Sequence, residues 1–67
     1  MFLIRYVNLQ KAKFENSSLS LDFDIPQYGY IVTYIDNNNN KEEYFFIERE
    51  EAYQCYDHYF NYLNSEV

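Results

Sequence analysis

Four consecutive asparagines, Asn37–Asn40, separate two runs of aromatic and β-branched residues, YGYIVTYID before them and KEEYFFI after. Such runs favour strands, and asparagine tolerates the left-handed backbone that a tight reversal needs. Tyr30–Asp36 and Glu42–Glu48 are therefore expected to form a β-hairpin, and the rest of the chain has to pack against it.

The preceding segment, Ser18–Ile25, alternates strictly. Leu19, Leu21, Phe23 and Ile25 fall on one face, and Ser18, Ser20, Asp22 and Asp24 on the other. A period of two marks a half-buried strand. Pro26–Gly29 then breaks the ladder, with proline presetting φ and glycine permitting positive φ. Phe2–Leu9 alternates less cleanly and reads as a strand apolar on both sides. Residues 10–17 read as a loop or as a continuation of a first hairpin, with turn chemistry at Asn16, Ser17 and Ser18.

From Glu48 to Asn64 the period changes to that of a helix. Ala52, Tyr56, Tyr59, Phe60 and Leu63 share one stripe about 100° wide, the width of a core-facing surface. Glu48, Glu50 and Glu51 sit where the helix dipole favours anions, and the tail Ser65–Val67 is expected to fray.

The expected fold is α+β, one domain over residues 1–67. It is a four-stranded antiparallel β-meander followed by one C-terminal amphipathic helix on one sheet face, β-β-β-β-α. The expected core sets Leu19, Leu21, Phe23, Ile25, Ile31, Ile35, Phe45 and Ile47 against the helical stripe. One helix cannot cover both faces of this sheet. On these assignments Tyr30, Val32, Tyr34, Tyr44 and Phe46 form an uncovered aromatic face, which Phe2 and Tyr6 can adjoin, and these five are candidate partner-binding residues.

Composition narrows the functional classes. A 67-residue chain hides only about 60% of its unfolded surface, so its core is marginal unless something adds to it. Nine Tyr and six Phe supply that mass. The single Cys55 excludes an internal disulfide and fits a reducing, cytoplasmic setting. No apolar run is long enough to span a bilayer, and the N-terminus lacks the basic region of a secretory signal. The initial Met fits a complete reading frame, and the Asn-, Tyr-, Phe- and Ile-rich usage fits an AT-rich genome.

Catalytic patterns are missing. The one glycine rules out phosphate-cradling loops, and no cysteine pair can hold structural zinc. Glu51, Cys55, His58 and Tyr62 share a helical flank, which raises a thiolate–imidazole pair or half of a metal site. One flank supplies too few ligands, and a boundary cysteine beside a solvent-facing histidine is the preferred reading. No enzyme activity, cofactor or metal is expected.

The net charge of −6 sits entirely at one end. Residues 1–41 cancel, whereas residues 42–67 set seven carboxylates against Arg49 alone. Glu42, Glu43, Glu48, Glu50, Glu51 and Asp57 are the second candidate partner-binding set, an acidic face that can imitate DNA phosphates or simply keep the chain soluble. Direct nucleic-acid binding is disfavoured, because Arg5, Lys11 and Lys13 are the only basic cluster.

The expected function is a small acidic protein-binding module with a basic protein partner. By type it is a phage or mobile-element inhibitor, as anti-CRISPR and anti-restriction factors are, that sterically blocks a host defence or nucleic-acid enzyme. The alternative is a small homodimeric regulatory or structural subunit without catalytic activity.

Overall fold

A computed structural model describes residues 4–65. The expected strand residues Phe2 and Leu3 and the tail residues Glu66 and Val67 lie outside the described residues. Four antiparallel strands, β1 (Tyr6–Lys13), β2 (Ser18–Asp24), β3 (Gly29–Ile35) and β4 (Lys41–Phe46), pair in chain order into one sheet. The helix α1 (Arg49–Ser65) follows and lies over β2, β3 and β4. The α+β meander with a C-terminal helix is therefore the architecture of the chain.

Of two local features, the first settles residues 10–13 as the continuation of the first hairpin, one of the two expected alternatives, and the second departs from expectation. Residues 10–13 continue β1 because a bulge between Asn8 and Gln10 absorbs Leu9. Asn8 Nδ2 donates to the Gln10 carbonyl and to Asp22 Oδ1, both at 3.0 Å, which ties the irregularity down. Bulges and lysines are devices that blunt an edge strand, and Lys11 and Lys13 sit on this one. In the β2–β3 turn the left-handed residue is Tyr28, at φ 52°, whereas Gly29 has no positive φ. Gly29 is small for another reason: a Cβ there would collide with the Phe45 ring.

The β3–β4 loop follows its asparagine chemistry. Asn39 is left-handed at φ 64°. Asp36 Oδ1 accepts the Asn38 and Asn40 amides at 2.9 and 3.0 Å, and Oδ2 accepts from Asn40 Nδ2 at 3.2 Å. These bonds hold the Asp36 carboxyl below the usual aspartate range, the two backbone amides contributing most.

The largest correction is which side of β3 and β4 meets the helix. The fully buried core is Leu19, Leu21 and Val32 against Ala52, Tyr56 and Leu63. Asp24 pairs with Gly29 across a four-residue turn, so Phe23 stands opposite Tyr30, Leu21 opposite Val32 and Leu19 opposite Tyr34. Val32 in turn stands opposite Tyr44, and Tyr30 opposite Phe46. Directly opposed residues share a face. The odd residues of β2 therefore join the even residues of β3 and β4 under the helix. The expected core members Ile25, Phe45 and Ile47 are exposed, as is Phe60, while Ile31 and Ile35 lie on the other side of the sheet, half-buried.

Candidate functional site

The candidate aromatic face is consequently corrected. Val32 is fully buried, and Tyr30, Tyr34, Tyr44 and Phe46 pack on the core beneath α1. The hydroxyl-tipped members solve a packing problem there. Tyr34 stacks on Tyr59 at 5.3 Å between centroids. Tyr44 donates to Glu42 Oε1 at 2.5 Å and shares a 2.9 Å hydrogen bond with the Tyr59 hydroxyl. The carboxylate partner, then the second tyrosine, push the Tyr44 hydroxyl far above the ordinary phenol range. Tyrosine rings can thus be buried by their bodies while their hydroxyls meet one another at the rim.

The six acidic candidates do not form one surface. Glu42 follows Tyr34 and Tyr44 on the helix side, whereas Glu43, opposite Thr33, points from the other side of β4. Glu48 precedes the helix and Glu50 and Glu51 occupy its first turn. Asp57 is exposed further along α1. Strand alternation places Glu42 and Glu43 on opposite sides of β4, so these two do not belong to one row.

On the helical flank, burial pushes the Cys55 thiol up, away from a reactive thiolate. His58 is exposed and meets the Tyr59 ring edge-on at 6.1 Å. Among the described residues no cluster of His, Cys, Asp and Glu is arranged to hold a metal ion, and no helix is long and apolar enough to cross a membrane.

What the helix leaves open is the opposite face of the sheet. It carries Tyr6, Asp22, Asp24, Ile31, Thr33, Ile35, Glu43 and Phe45, together with Lys11, Lys13 and Lys41, the last paired with Glu43 at 3.7 Å. Antiparallel order also gathers the start of β1, the β2–β3 turn and the end of β4 at one end of the sheet. That end exposes Ile4, Ile25, Tyr28 and Ile47, with Tyr28 77% accessible. The other end carries the polar β1–β2 turn and the Asn37–Asn40 loop. More of the exposed apolar side chains lie at that end and on that face than elsewhere, although Val7 and Leu9 on β1 and Phe60 and Tyr62 on α1 are exposed as well.

Asp24 sits at the junction of the two. Tyr6 stands opposite it on β1 and Gly29 opposite it on β3, with the Phe45 ring over Gly29. Flanked by the two rings, Asp24 is only 1% accessible. Its Oδ1 has no hydrogen-bond donor among the described residues. Arg5 Nε approaches to 3.9 Å, close enough for attraction between charges and too far for a hydrogen bond. The Arg5 guanidinium lies instead over the Tyr6 ring, 5.3 Å from its centroid. A cleft of about 290 Å³ opens here, lined by Arg5, Tyr6, Asp24, Gln27, Ile31, Glu43 and Phe45. Sequence reasoning passed over Asp24 as one of several polar residues on the outer side of β2. The signal that would have found it is the turn length, which fixes the face shared by Asp24, Gly29 and Phe45.

Comparison with protein-family models, with curated proteins and with solved structures finds no match.

Proposed function

We propose that this chain is a non-catalytic protein-binding module that works by occupying a basic surface of another protein with the open face and apolar end of its sheet. The observation that carries the reading is the exposure of Ile4, Tyr6, Ile25, Tyr28, Phe45 and Ile47 on a chain whose helix is committed to the other side. Aromatic and aliphatic side chains gathered around charged groups make the anchors of protein interfaces.

Charge chooses the partner. Asp22, Asp24 and Glu43 share the open face with Lys11, Lys13 and Lys41, so the face is mixed in charge. The preference for a basic partner comes from the net −6 of the whole chain and from the carboxylates nearest the apolar end. A basic surface is attracted and an acidic one repelled. Nucleic-acid enzymes present such basic clefts, and an occupied cleft is an inhibited one.

Affinity capture from a lysate of the source cells tests the reading, with the chain, Ile35→Asp and the helix-surface variant Asn61→Ala as baits. A basic protein held by the first and third baits, lost with the second and released by raised salt is the expected result. Equal capture by all three contradicts the open face as the contact surface, and self-association alone replaces the partner by a second copy of the chain.

A further inference from the structure

We propose that the cleft beside Asp24 is a receptor for an arginine guanidinium contributed by the partner. The inference rests on the binding-module reading and names the chemistry of its anchor. Asp24 combines two properties that conflict in an isolated chain: its side chain is almost wholly buried, and Oδ1 lacks a donor among the described residues. A buried carboxylate without full hydrogen bonding is costly, and an incoming charged donor removes that cost.

The walls match a guanidinium. Asp24 and Glu43 supply carboxylates, Gln27 a side-chain carbonyl and Phe45 an aromatic ring, all lining one cleft. Guanidinium is planar, weakly hydrated and able to bond a carboxylate edgewise while stacking on a ring. A lysine ammonium is a compact, strongly hydrated charge and uses only the first of these features. The chain's own Arg5 shows the preference in part. Its guanidinium is drawn to 3.9 Å from Asp24 but rests over Tyr6, leaving the carboxylate lone pair unmet. The side chain of Arg5 is more than half exposed and can move aside.

Titration of the ¹⁵N-labelled chain with N-acetyl-arginine amide tests this, with the neutral isostere N-acetyl-citrulline amide alongside. Saturable amide shifts at Gln27, Gly29, Ile31 and Phe45 are expected with arginine and not with citrulline. Asp24→Asn, which keeps the shape and removes the charge, should weaken the arginine response at least tenfold, and the exposed Glu43→Gln several-fold. No response to arginine in the unaltered chain, or equal responses to arginine and citrulline, overturns the assignment whether or not Asp24→Asn folds. Capture of a partner that is lost with Ile35→Asp yet kept with Asp24→Asn also overturns it, and leaves the binding-module reading standing.

Discussion

The ring of Phe45 fills the space that a side chain at Gly29 would occupy. Gly29 is buried and begins β3, so its missing side chain serves close packing across the sheet rather than an unusual turn conformation. The same ring flanks Asp24, which makes the pair both a packing device and one wall of the candidate site.

Gly29→Ala should therefore push the Phe45 ring outward into solvent and destabilise the chain by at most about 1–3 kcal/mol, the range for overpacking. In a Phe45→Ala background the same substitution should cost little, because the obstructing ring is gone. Chemical denaturation of the four members of this double-mutant cycle reads the coupling directly.

The face reversal makes a second prediction. Leu21→Ala should cost about 2–5 kcal/mol, since its side chain is fully buried under α1. A domain of this length has only about 3–10 kcal/mol in total, so that variant should be largely unfolded or close to it. Ile35→Ser, on the open face, should cost no more than about 1 kcal/mol. Equal losses would mean that the helix covers the other side.

That reversal also marks how far the residues alone could be read. The alternation in Ser18–Asp24, the asparagine reversal and the helical stripe are local patterns, and each became the expected element. The pairing of faces is not local. Tyr30, Val32 and Tyr34 are no less apolar than Ile31 and Ile35, so hydropathy cannot choose between the two sides of β3. The choice follows from turn length, because a four-residue turn sets Asp24 opposite Gly29, and a shift of one residue exchanges the faces. Mistaking that parity moved the candidate site from Phe45, Ile31 and Asp24 to the tyrosines that the helix covers. Ala52, Tyr56 and Leu63 were legible because a helical stripe has only one core-facing side.

Alkaline pH should unfold the chain through its tyrosines. The Tyr44 hydroxyl is held protonated by Glu42 and Tyr59, and burial pushes Tyr56 up as well. Both groups hold their protons more tightly in the folded state. Their contribution is full below the unfolded tyrosine value of about 10 and is lost as pH rises above it. Denaturation midpoints should fall progressively above about pH 10, and the slope should be shallower for Tyr44→Phe.

Acid should act on the asparagine loop in the opposite sense. The Asp36 carboxyl is depressed by the Asn40 and Asn38 amides, so its contribution is present above the unfolded aspartate value of about 3.9 and is lost as pH falls through the depressed folded value. Asp36→Ala should speed hydrogen exchange at Asn38 and Asn40 at neutral pH while leaving exchange in β2 unchanged. If the loop amides stay as protected as before, Asp36 does not organise the turn.

Hydroxyl-radical footprinting of the chain alone and bound to its captured partner is the most direct measurement of the central claim. Tyr6, Tyr28 and Phe45 on the open face and apolar end should lose labelling in the complex, while Tyr62, exposed on α1, should keep it. Protection of Tyr62 with continued labelling of Tyr28 and Phe45 would contradict the account, and would place the partner on the helix.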